Sequence, residues 1–126
     1  MTTMVCFTAA GAEYCLPVHA ARSVRTSDAM ISLPDPNPDV TGMLPGDPPL
    51  TVISPLHSER GHILVIEAGD KTFGLLVDAV TGLRRIDDAE LGPAPEGQGR
   101  QLVCGTLYNN GRMILVADPF ALAGEL

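Results

Sequence analysis

With 126 residues, 45% of them hydrophobic and 18% charged, the chain has the composition of one folded domain with its own core rather than of a disordered tail. Fifteen acidic residues against eight Lys and Arg leave a net charge of −7, which repels a phosphate backbone and an anionic lipid surface and so argues against both as partners. No run reaches the roughly 18 apolar residues of a spanning helix, and Met1 to Met4 opens no basic and apolar leader, so the expected location is cytoplasmic with no membrane insertion.

From Val5 to Val18 the apolar residues alternate, Val5, Phe7 and Ala9 and then Tyr14 and Leu16, around Ala10, Gly11 and Ala12. That pattern predicts a strand, a turn and a strand. Tyr14 is expected at the edge of the core with its hydroxyl at the rim. Cys6 and Cys15 fall where they can face each other across this hairpin. Together with Cys104 they make an odd number without metal-ligand spacing, which predicts free thiols in small apolar slots.

Between Leu33 and Pro55 lie seven of the eleven prolines, at 34, 36, 38, 45, 48, 49 and 55. A continuous helix is impossible there, and the expectation is a long ordered loop with one short strand at Leu50 to Ile53. Val40, Met43 and Leu44 give that loop something to bury. His62 to Glu67, a turn at Ala68 to Asp70, and Phe73 to Val80 then form the clearest hairpin. Leu76, opposite Phe73, Leu75 and Val77, predicts a strand buried on both faces.

Ile86 to Leu91 is expected to make one helical turn capped by Asp87, ended by the Gly and Pro stretch Gly92 to Gly99. Leu102 to Tyr108, a turn at Asn109, Asn110 and Gly111, and Met113 to Val116 repeat the hairpin logic. Asp118 and Pro119 read as N-cap and first residue of a short helix through Phe120 and Leu122. At least six short strands, two short helices and one long loop amount to a closed or sandwiched all-β architecture.

Motifs for chemistry are absent from this pattern. Gly97 and Gly99 neither follow a strand nor open a helix, so they make no phosphate loop. His19, His57 and His62 lack the spacing of metal ligands, and no cofactor is expected. Cys104 or Ser54 with a histidine is the remaining route to a nucleophile, with no residue pattern pointing to it. Asp70, Asp78, Asp87 and Asp88 stand near turns and strand ends, where capping and solvation account for them. Arg84 and Arg85 are the one dense basic spot, either a solvated face or a partner contact.

The order Phe7, Tyr14, Leu16, Pro17, Val18, Val24, Leu33, Pro34, Pro38, Val40 and Gly42 resembles the N-terminal half of CheW-like domains. The run from Phe73 to Gly82 follows that family's middle motif almost residue for residue, and Leu91, Pro93, Pro95, Gly105, Leu115, Asp118, Pro119 and Leu122 complete the likeness over essentially the whole chain. The resemblance implies a single domain over 1–126 made of two small five-stranded SH3-like barrels packed around a shared core, with both chain ends in one barrel. It also implies a non-enzymatic adaptor that bridges chemoreceptor cytoplasmic tips to the regulatory domain of a histidine kinase, using the groove between the barrels for the receptor and barrel ends for the kinase.

The departures from the family pattern fall on polar positions. Where family members that bind receptors carry Asn-Leu-Arg-Gly, this chain has Met43, Leu44, Pro45, Gly46 and Asp47; Ser23 replaces a glutamate before Val24, and Ser54 or Pro55 an aspartate. Loss of such charge-assisted contacts often costs a few kcal/mol of binding. The aliphatic scaffold is kept, so a different partner can use the same groove. Val24, Arg25, Leu44, Gly46 and Leu50 are the candidate contact residues, with packing of the loop as their other reading. Two alternatives to the adaptor remain: a sensor holding a small apolar ligand between the barrels, and an enzyme, which needs polar groups of strongly perturbed protonation in one cleft.

Overall fold

The computed structural model describes residues 1–34 and 39–126. Among the described residues, eleven strands form two sheets. The five-stranded sheet holds β1 (Thr2–Ala9), β2 (Ala12–Pro17), β9 (Ala79–Ile86), β10 (Val103–Asn109) and β11 (Arg112–Ala117), in the order β10-β11-β2-β1-β9. The other holds β3 (Ala21–Thr26), β4 (Ile31–Ser32), β5 (Val40–Leu44), β6 (Leu50–Ile53), β7 (His62–Ala68) and β8 (Lys71–Val77), in the order β3-β7-β8-β6-β5-β4. The first and last strands of the chain thus share one sheet, and the middle strands make the other.

Local chemistry explains the turns. β1 and β2 are joined through Ala10 and Gly11, both at positive φ (48° and 81°), the mirror-image turn whose twist suits a two-residue hairpin. Asn110 and Gly111 repeat it between β10 and β11. Asp87 accepts a hydrogen bond from the Ala89 amide while Glu90 reaches back to the Asp87 amide, a reciprocal cap on the 3-10 turn Asp88–Glu90. After that turn Gly92 bridges Thr106 on β10 and draws the β9 side of the sheet toward its far edge. Asp118 accepts from the amides of Phe120 and Ala121 and caps α1 (Pro119–Ala123).

Among the described residues, the buried apolar side chains fall into three clusters. The largest lies between the sheets and takes Phe7 and Leu16 from one, Leu64, Ile66, Phe73, Leu75 and Val77 from the other, and Leu122 from α1. A second fills the five-stranded sheet with Met4, Cys15, Ile86, Leu107, Ile114 and Val116. A third fills the other sheet with Leu44, Val52, Ile63 and Leu76. β8 is therefore buried on both faces, with Phe73, Leu75 and Val77 toward the shared core and Leu76 away from it, as its sequence predicts. Gly74 shares the Leu76 face, where a Cβ would sit 2.6 Å from Ile63 Cγ2, so only glycine fits the close approach of the two strands.

Several segments differ from the sequence expectation; Phe73 to Val80, for one, breaks at Asp78 into the end of β8 and the start of β9, and β3 and β4 are strands where none was expected. The proline-rich stretch is not one loop with a single strand, because β5 pairs with β6 antiparallel from Val40↔Ile53 to Leu44↔Leu50. Residues 39–44 contain no proline, so their amides are free for a ladder, and Pro45, Pro48 and Pro49 fall in the connecting turn. Pro36 and Pro38 lie outside the described residues. Another difference is that β9 continues through Gly82, Leu83, Arg84 and Arg85 where no strand was expected. Cys104 also departs from the expected apolar slot: it is exposed, while Cys15 is buried and Cys6 half-buried.

Candidate functional site: an apolar groove between the two sheets

Where the terminal strand of one sheet, β9, approaches the terminal strand of the other, β3, the surface folds into a groove of 240 Å³. One wall is Val24 of β3 with Val18 from the preceding 3-10 turn; the other is Val80 and Leu83 of β9; Val5 and Leu64 form the floor. Three of these apolar side chains stand open to solvent, Leu83 at 68%, Val24 at 46% and Val18 at 37%. Large aliphatic groups gathered in one concavity, rather than scattered singly, are the usual mark of a contact surface.

A β-bulge builds this wall. Along β1 the partners on β9 run Val5↔Leu83, Cys6↔Gly82 and then Phe7↔Val80, which leaves Thr81 as the extra residue. In a regular strand Val80 and Leu83, three apart, would point to opposite faces. The bulge puts both on the face of Val5 and Phe7. Gly82, at φ 148°, supplies a conformation that side-chain-bearing residues avoid. Polar groups rim the groove, with Arg22 on β3 paired to Glu67 on β7 at 2.6 Å.

The five residues singled out from the sequence divide into two groups. Val24 lines the groove and Arg25 is its exposed neighbour on β3. Leu44 and Leu50 face each other across the β5–β6 ladder; Leu44 is 1% exposed and belongs to the third cluster, and Leu50 packs against it. Gly46 is exposed in the turn between them. The sheet order sets β7, β8 and β6 between β3 and β5. Leu83 and Val18, the groove's most exposed walls beside Val24, went unnoticed in the sequence. Their signal was a lone leucine after a glycine in a strand whose phase the bulge had shifted.

Several of the residues weighed for chemistry have structural partners. Ser54 donates to the Ser58 carbonyl at 2.6 Å, and the Ser58 hydroxyl to Asp78 at 2.8 Å. Thr2 donates to Asp88 at 3.0 Å, and the Cys104 thiol to the Val116 carbonyl at 3.5 Å. Burial pushes the Cys6 and Tyr14 groups above their ordinary pKa, and pushes Cys15 up to about 12. Among the described residues no three His, Cys, Asp or Glu side chains are placed to hold a metal ion. No helix among them is long and apolar enough to cross a membrane. Larger concavities of 470 and 350 Å³ open on the five-stranded sheet, both lined by Glu13 and Arg112, which pair with each other.

Comparison with known proteins fits this architecture. The sequence has no match among curated proteins. Among solved structures, the crystal structure of scaffolding protein TtCheW from Thermoanaerobacter tengcongensis superposes with a TM-score of 0.80 at 22% identity, covering 93% of this chain and 88% of that one. The likeness gives the fold, two SH3-like β-barrels, one per sheet, the second carrying the two-residue β4 as a sixth strand. Residues 44–126, more than half of the chain, match the family model for the CheW-like domain, and the chain belongs to that family.

Proposed function

We propose that this protein is a single-domain, non-enzymatic scaffold of signal transduction that couples a chemoreceptor or similar input to a histidine kinase, with the groove between β3 and β9 as its input surface. Membership of the CheW-like family supports the scaffold role, as does the fold shared with a protein described as a scaffolding protein. The observation that carries the choice of surface is the row of exposed Leu83, Val24 and Val18 over an aliphatic floor. Apolar anchors in a groove with a charged rim are how an amphipathic helix is commonly held.

Val24 and Arg25 are the sequence-derived candidates that reach this surface. Leu44, Gly46 and Leu50 belong to the second barrel, Leu44 and Leu50 as packing and Gly46 as the exposed turn, a surface suited to a second partner such as the kinase regulatory domain. The familiar arginine of that loop is replaced by Pro45, so this chain's recognition relies on aliphatic contact more than on charge.

A sensor for a small apolar molecule is the weaker reading. The groove's 240 Å³ falls below the roughly 300–1,000 Å³ of drug-sized ligand pockets and it is open to solvent. The test is a binding titration against a receptor-tip helical hairpin and a kinase regulatory domain, with Leu83→Asp as the groove variant. Retention of either partner that is lost with Leu83→Asp supports the proposal. A folded protein that retains neither contradicts it.

A further inference from the structure

Cys6 and Cys15 lie directly opposite each other on β1 and β2. The register fixes the kind of pair. The two-residue turn is closed by Ala9↔Ala12, which exchanges both hydrogen bonds, so alternate pairs back along the ladder are Thr8↔Glu13, Cys6↔Cys15 and Met4↔Pro17 in non-hydrogen-bonded positions. Pro17 agrees, since a residue without an N–H loses nothing there. At such a position the Cα atoms are about 4.5 Å apart, inside the about 4.4–6.8 Å span of disulfides. Both side chains belong to the same cluster inside the five-stranded barrel, so they point to the same face.

Cys6 is also reachable. Its partner on the other side is Gly82, where a Cβ would meet nothing within 4 Å, and the 350 Å³ concavity beside it is lined by Cys6, Gly82, Arg84, Asn109 and Arg112. Arg112 is already held by Glu13. Arg84 is not: its Nη1 is buried and has no hydrogen-bond partner among the described residues. A buried guanidinium nitrogen without an acceptor favours an incoming carboxylate.

We propose that Cys6 and Cys15 are a dithiol–disulfide couple, oxidised by a small disulfide that bears carboxylates and docks over Cys6 beside Arg84. The Cys6 thiolate attacks one sulfur of the small disulfide, forming a mixed disulfide and releasing one thiolate. The Cys15 thiolate then attacks the Cys6 sulfur, closing the cross-strand bond and releasing the second. The two cysteines lose two electrons, the small disulfide gains them, and the two cysteine protons end on the released thiols. The exchange is slow, on the scale of minutes to hours, because burial disfavours both thiolates. The bond cross-links the strand that carries Val5, the floor of the groove.

The test incubates the folded, full-length protein with oxidised glutathione and, in parallel, with uncharged hydroxyethyl disulfide, then blocks remaining thiols and maps tryptic peptides by mass. Arg22 is the first tryptic site, so Cys6 and Cys15 share peptide 1–22, while Cys104 lies in peptide 101–112 as the exposed control. The expected result is an unblocked peptide 1–22 lacking two hydrogens, with a simple glutathione adduct on Cys104. Both thiols of peptide 1–22 blocked after Cys104 has reacted, a lasting adduct on Cys6, or a link to Cys104 would overturn the couple. Arg84→Gln is expected to slow oxidation by glutathione disulfide roughly tenfold and leave the uncharged reagent's rate unchanged. Equal rates for wild type and variant with both reagents would refute the role of Arg84.

Discussion

The two barrels of this protein are filled differently. The barrel of β3 to β8 is packed with Leu44, Val52, Ile63 and Leu76, all aliphatic and nearly inaccessible, and its strands approach so closely that position 74 admits only glycine. The barrel shared by the two ends of the chain has Met4, Ile86, Leu107, Ile114 and Val116, but also two facing thiols and the buried Nη1 of Arg84, with a concavity opening beside them. The same fold thus contains one barrel whose interior only packs and one whose interior holds groups that can react or pair. The groove borders both, and its wall is set by the bulge in the second kind.

Substitutions that break this contrast should rank accordingly. Leu44→Asp places a carboxylate inside the aliphatic barrel and is expected to cost about 4 kcal/mol or more, measured by urea unfolding. That cost also makes it a poor interface probe, since lost binding would report lost folding. Leu76→Ala empties part of the same interior and should cost about 2–5 kcal/mol, with less loss indicating a barrel that collapses around the gap. Gly74→Ala drives a methyl into Ile63 and should cost about 1–3 kcal/mol, through strain rather than a cavity.

In the other barrel the expected effect depends on pH. The Cys15 pKa, about 12 in the fold against an ordinary 9.0, means the unfolded chain releases this proton first as pH rises. Its contribution to stability is therefore complete below pH 9 and lost as the pH approaches about 12. Thermal melts across this range should show a shallower alkaline decline in Cys15→Ala than in wild type. Equal slopes would show that Cys15 is as readily ionised in the fold as in the unfolded chain.

Much of the fold was legible in the sequence because alternation, turn residues and caps are local signals. The hairpins around Gly11, Gly69 and Gly111, the Asp87 and Asp118 caps, and the doubly buried β8 all rest on such signals. β5 was hidden because proline density spoke louder than the six proline-free residues between Pro38 and Pro45. The groove was largely illegible. Val24 was singled out by its place in the family pattern, but Leu83 joins it only because a bulge at Thr81 reverses the phase of β9. Nothing in the residues themselves marks where an extra residue enters a ladder. Leu44 and Leu50 looked like contact residues by family position, and the burial of Leu44, with Leu50 packed against it, appears only once β5 and β6 are paired.

Leu83→Asp is the smallest perturbation of the fold and the sharpest of the function. At 68% exposure the substitution should change stability by no more than about 0.5 kcal/mol. The most direct measurement is therefore isothermal titration of wild type and Leu83→Asp with a histidine kinase regulatory domain and with a chemoreceptor-tip hairpin. Saturable binding of at least one of them is expected, weakened by about tenfold or more in Leu83→Asp at unchanged melting temperature. Binding of neither partner, or binding by Leu83→Asp as tight as wild type, would contradict the groove's proposed role.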